Sequence, residues 1–232
     1  MRKLGVVADM TLREMLRRRG VLILLLALPL AFYVVRRNGY TGESIRALFL
    51  GLSWAISTAA LFSASAGRAV EPRLRLSGYR SHHLYLGRLA ALLVLGTGIA
   101  VPLLALVALD PAQDKVRTGG VALAMLLCVT VAAPFGLLVA ALVPRELEGT
   151  LVLLVVVGMQ MVVDPAGAGA KVMPFWSSRE IGTYAVDHTG SGYLDRGLVH
   201  GVAFTLALAL LVAVLSSYRL RTRSHMRFAS GR

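Results

Sequence analysis

The sequence predicts an all-α membrane protein: six transmembrane helices, an N-terminal interfacial amphipathic helix and a re-entrant segment between spans 5 and 6. Three observations carry this expectation. Of 232 residues, 56% are hydrophobic and 16% charged, with a mean hydropathy of +0.70, which is not the composition of an ordinary soluble domain. The apolar residues sit in long blocks, as membrane spans require. The basic residues flank those blocks and do not share a face with stacking aromatics, so the net charge of +13 is assigned to membrane orientation and not to nucleic acid.

Residues 1–20 read as the amphipathic helix. Leu4, Val7, Leu12 and Met15 recur on one side at helical spacing, while Lys3, Asp9, Arg13 and Arg17 occupy much of the remainder. A basic amphipathic helix directly before a span is expected to lie in the membrane interface, against lipid. No signal peptide is expected, because the first apolar block begins only at Val21 and no small-residue cleavage site follows it.

The spans occupy most of residues 21–217. Span 1, about 21–35, contains Pro29 and is shorter than the roughly 20 residues a bilayer needs, so it is expected to borrow flanking residues, let Arg36 and Arg37 snorkel, or thin the membrane locally. Span 2 runs over about 47–66 and span 3 over about 89–109, with Pro102 inside it. Span 4 covers about 120–143 and is stopped by Pro144. Span 5, about 150–163, is interrupted at Asp164 and Pro165, and span 6 covers about 197–217. Residues 164–196, with Trp176, Tyr184 and Tyr193, are too polar to span and too apolar for a free loop. They read as short re-entrant or interfacial helices on the outer side. A basic tail occupies residues 218–232.

Six spans place both termini on one side, and charge says which. The N-terminal helix, the 67–88 loop, the 145–149 link and the tail together carry +12, against +1 for the segments on the other side. The positive-inside rule therefore puts both termini and the 67–88 loop in the cytoplasm.

That loop, GRAVEPRLRLSGYRSHHLYLGR, has a net charge of +4. Pro72 suits the first residue of a short helix, Gly78 its stop, and Ser81 a cap for the helix that continues into span 3. A connector needs only a few turn residues. About twenty residues of charged, helical loop predict a docking surface for a cytoplasmic partner.

Catalytic signatures are missing from the sequence. There is no GxSxG, no HExxH, no GxxxxGK[ST] phosphate loop, and no Asp, Glu, Lys or Arg inside an expected span. Coupled transporters carry ionisable groups in mid-membrane, so that class is disfavoured. His82 and His83 are adjacent and not spaced as helical metal ligands, and Cys128 is the sole cysteine, which leaves no disulfide within one chain. The polar candidates for a substrate pathway are Ser53 and Ser57, four residues apart on span 2, and Gln160 on span 5. Hydroxyls in membrane helices more often bond their own backbone or join helices, whereas a buried amide needs partners.

The amphipathic N-terminal helix, the basic loop around Glu71-Pro72-Arg73, the short span 5 and the interrupted segment with Met173-Pro174-Phe175 together resemble the membrane subunit of an ABC-2 type transporter. The resemblance is one of layout over almost the whole chain. It implies a coupling helix at residues 72–77, with Glu71, Arg73, Arg75, Tyr79 and Arg80 as ATPase-coupling residues, and a re-entrant region at 164–196. It implies a bacterial inner (plasma) membrane location, and partners in the form of separate ABC ATPase subunits and a second or paralogous permease copy. The chain itself would need no cofactor, since ATP and Mg would be bound by the ATPase. The expected cargo is hydrophobic or amphipathic: a drug-like metabolite, peptide or lipid. A secondary transporter or channel, and a non-transporting membrane anchor for a soluble partner, are the alternatives.

Overall fold

The computed structural model describes residues 2–37, 39, 42–68, 70–164, 167 and 169–221, which contain helices and no strand. Residues 222–232, most of the expected basic tail, lie outside the described residues. In chain order the helices are α1 (Arg2–Arg17), α2 (Arg19–Val35), α3 (Glu43–Gly67), α4 (Glu71–Leu76) and α5 (Ser81–Leu109). They continue with α6 (Thr118–Leu142), α7 (Glu146–Val162), α8 (Trp176–Val186) and α9 (Ser191–Arg221). Two 3-10 turns, Pro111–Gln113 and Ala170–Val172, precede α6 and α8.

Among the described residues four helices are long and apolar enough to cross a membrane: α3, α5, α6 and the Ser191–Tyr218 part of α9. A fifth span results if α1 and α2, bent by 82° at their junction, are taken together. Helices α2 and α7 have 17 residues each. At 1.5 Å per residue that is about 25 Å, short of a ~30 Å hydrocarbon core.

Burial sorts these helices into an inner and an outer set. The most apolar windows of α3 and α6 are each 72% buried, against 17% for α9. Helix α6 is the hub, packed against α3, α5, α7, α8 and α9. The α3–α6 crossing is close because Gly136 has no side chain: a Cβ there would lie 2.1 Å from the Ser57 carbonyl oxygen. Ser57 strengthens the same crossing by donating its hydroxyl to the Ala132 carbonyl at 3.2 Å. On the periphery Ile23, Leu24, Val101, Val199, Leu206 and Leu210 are exposed. An apolar surface of that extent on long helices suits lipid, not water.

The connections gather at two ends. At one, the α2–α3 link, the α5–α6 link and α8 meet. Arg37 pairs with Asp110, Gln113 bonds Ser44, and the Arg117 N–H donates to the Ala185 carbonyl. Gly42, with φ +82°, starts α3 hard against α8, where a Cβ would collide with Val186. At the other end lie α1, α4, the start of α5 and the α6–α7 link. Val7 of α1 fits over Gly87 of α5, and Arg68 reaches the α6–α7 link.

Several expectations shift in detail. Arg37 pairs with Asp110, a residue the sequence treats as loop charge. Helix α5 begins at Ser81, so Ser81 is its first residue; the cap contact is made by the Arg80 N–H donating to His83 Nδ1 at 3.2 Å. Helix α9 begins at Ser191, six residues before the apolar run, because Arg196 covers the Tyr193 ring and reaches Glu180 at 3.4 Å. Trp176 is buried against His200, so its ring packs between helices.

Candidate functional site

Helix α4 is the first candidate. Its sequence EPRLRL places Pro72 in the first turn, where a missing N–H costs nothing. Gly78, at φ +80°, ends it: the Tyr79 N–H reaches the Leu74 carbonyl and the Gly78 N–H the Arg75 carbonyl, a Schellman closure that needs the left-handed backbone glycine supplies.

The short helix is fixed from three sides. Glu71 and Arg88 pair at 3.1 Å with side chains only 20% and 14% exposed, which ties α4 to α5. Lys3 of α1 donates to the Gly78 carbonyl at 3.0 Å and lies 5.6 Å from the Tyr79 ring. Arg68, just before α4, donates to the carbonyls of Ala140 in the last turn of α6, of its C-cap Val143 and of Pro144 in the link that follows. What α4 presents outward is Arg73, Arg75 and Leu76, the last 91% exposed, with Arg80 exposed just beyond. The expected coupling residues therefore divide. Glu71 and Tyr79 face the protein's own α5 and α1, while Arg73, Arg75 and Arg80 face outward. Lys3, Arg68 and Arg88 complete the mount and were visible in the sequence only as members of basic runs.

The second candidate lies at the opposite end, a cavity of about 280 Å³ between α3, α7 and α8. Its polar lining is Arg36, Glu43, Arg46, Ser53, Gln160, Ser178 and Arg179. Two of the three pathway candidates thus meet here, although they lie on different helices. Ser57 does not join them and belongs to the α3–α6 crossing. Ser53 donates to its own helix at the Phe49 carbonyl, 2.7 Å away. The Gln160 Nε2 is buried and has no hydrogen-bond partner among the described residues.

The arginines were not singled out by sequence, because each reads as an isolated loop charge. Arg46 pairs with Asp187, and Arg36 stands 3.7 Å from Glu43. Arg179 donates through Nη1 to the carbonyls of Val163 at 3.1 Å and Gln160 at 3.4 Å, at the C-terminal end of α7 where a cation is favoured. Burial, and then the nearby Arg46 charge, push the Arg179 guanidinium below its ordinary pKa. Beside it, burial raises the Glu180 carboxyl against the opposing pull of Arg196 and Arg179.

Among the described residues no group of three or more His, Cys, Asp or Glu side chains is placed to hold a metal ion. No protein-family model and no curated protein matches this chain.

Proposed function

We propose that this chain is the membrane-spanning subunit of an ABC-2 type exporter. In this reading six helices, α2, α3, α5, α6, α7 and α9, cross the membrane, with both termini and α4 in the cytoplasm. The short α2 and α7 are accommodated by local thinning or by their polar flanks. Separate ATPase subunits bind ATP and Mg and dock on α4, and a second or paralogous permease copy completes the transporter. The cargo is hydrophobic or amphipathic, and moves outward across a bacterial inner membrane.

The observation that carries the reading is α4 itself. It exposes Arg73, Arg75 and Leu76 while Glu71, Arg68 and Lys3 anchor its ends to α5, α6 and α1. A force applied to such a helix is passed to three other helices, which a merely solvated loop could not do. Its side of the bundle is the one that positive charge assigns to the cytoplasm.

Affinity capture of the chain from its native membrane in mild detergent tests the reading. A co-purifying subunit with a phosphate loop, lost when Arg73 and Arg75 both become Glu, is the expected result. Recovery of the chain alone, or only with itself, overturns it and leaves the secondary transporter and the anchor.

A further inference from the structure

Positive charge at the α4 end is accounted for by membrane orientation. The arginines at the opposite end are not, because the positive-inside rule leaves that side poor in cations. Yet Arg36 and Arg46, on either side of the α2–α3 link, and the distant Arg179 of α8 line one cavity, where Glu43 is the only acidic lining residue among the described residues. Like charges gathered in a partly desolvated site repel, and an anion between them relieves that repulsion.

Arg179 has the free geometry for such a ligand. Both of its hydrogen bonds use Nη1, and among the described residues nothing accepts from Nε or Nη2. That edge of a guanidinium is a fork matched to two oxygens of a phosphate or carboxylate. Arg36 is similarly available, since its 3.7 Å separation from Glu43 is longer than a hydrogen bond. Beside the polar Ser53, Gln160 and Ser178, the lining includes an apolar wall of Ala47, Phe49, Leu50 and Phe175. A free inorganic ion gains nothing from such a wall, whereas an alkyl or aromatic body attached to the charged head does. The volume of about 280 Å³ is near the lower end of ligand pockets and takes a head with its first several carbons.

We propose that this cavity binds the anionic head of an amphiphile, a phosphate, sulfate or carboxylate, with the adjoining carbons against Phe49, Leu50 and Phe175. Arg179 and Arg36 are the clasping residues, and Arg46, tied to Asp187, adds field. That the occupant is cargo rests on the exporter reading; the binding itself does not.

The test uses the full chain in phosphatidylcholine nanodiscs, with dodecyl phosphate as the probe and empty nanodiscs as the blank. Saturable binding of one dodecyl phosphate per chain is expected. Arg179→Gln should weaken it by about tenfold, the value of one charge-assisted contact. Arg36→Gln, at a half-exposed residue whose loss leaves the packing intact, should weaken it several-fold. Arg145→Gln, at an exposed residue of the other end, should leave it unchanged, and dodecyltrimethylammonium should not compete. Unchanged binding in both Arg36→Gln and Arg179→Gln overturns the site. Competition by inorganic phosphate as strong as that by dodecyl phosphate overturns the amphiphile. Loss of ATPase capture with this binding intact counts against the exporter reading alone, and absence of binding with capture intact counts against the cavity alone.

Discussion

Arg37 clasps the Asp110 carboxylate on both oxygens, with Nη2 2.8 Å from Oδ1 and Nε 2.9 Å from Oδ2. The Tyr33 hydroxyl donates to Oδ2 at 2.5 Å and the Ala112 N–H to Oδ1 at 3.1 Å. One carboxylate thus joins the end of α2 to the turn after α5. The Arg37 hydrogen bonds, then those from Tyr33 and Ala112, hold the Asp110 carboxyl well below the usual carboxylate range. A depressed folded-state pKa means that this bond stabilises the fold above the unfolded value of about 3.9 and is lost as pH falls below it toward the depressed value. Asp110→Asn should therefore lower the midpoint of thermal unfolding in detergent at pH 7 by about 2–4 °C. The gap between variant and wild type should close as the pH is lowered below about 4. A gap that stays constant from pH 7 to pH 3 contradicts the assignment of the stability to the ionised carboxylate.

Gly136 and Ser57 sit at the same helix crossing but should behave differently. A Cβ at residue 136 would meet the Ser57 carbonyl oxygen at 2.1 Å and the Ala60 Cβ at 2.7 Å, and the first of these is backbone that cannot swing away. Gly136→Ala should cost about 1–3 kcal/mol by overpacking. Ser57→Ala removes one interhelical hydrogen bond, worth about 0.6 kcal/mol in a membrane bundle. Thermal unfolding of the two variants in detergent ranks them. On the exporter reading, if Ser57→Ala folds as the wild type does but transport is lost, Ser57 belongs to the pathway and not only to the crossing.

The long helices were legible because their signal is local: an apolar block of adequate length announces itself at every residue. The stop at Gly78 was legible for the same reason, since a left-handed turn demands glycine. Pairings across long sequence separations were not. Arg37 and Asp110 are 73 residues apart, Arg68 and Ala140 are 72 apart, and nothing in either neighbourhood names its partner. The cavity was half legible. Ser53 and Gln160 stood out as polar residues in apolar helices, but the arginines beside them lie outside the apolar blocks, where charge is ordinary. Ser53 and Ser57 share a helix face by spacing, yet one lines the cavity and the other faces α6, because the packing of α6 and α8 divides that face along its length.

On the exporter reading, Glu71 and Arg73 have opposite tasks although they are two residues apart. Arg88 lies over Gly67, where a Cβ would come within 2.0 Å of Nη2, and from there it holds Glu71 in a largely buried pair. Breaking such a pair leaves an uncompensated charge with little water to take its place. Glu71→Arg should thus dislodge α4 and weaken ATPase capture without any direct contact being lost. The charge-swapped double variant, Glu71→Arg with Arg88→Glu, should restore capture, since the pair is rebuilt with its polarity reversed. Arg73→Glu combined with Arg75→Glu acts on the exposed face, so the same Arg88→Glu change should not rescue it. Raising salt should weaken wild-type capture through Arg73 and Arg75, which are exposed and screened, more than it disturbs the sheltered Glu71–Arg88 pair. A folded double swap that still fails to capture the ATPase would place Glu71 in the docking contact itself, with its own partner across the interface in place of Arg88.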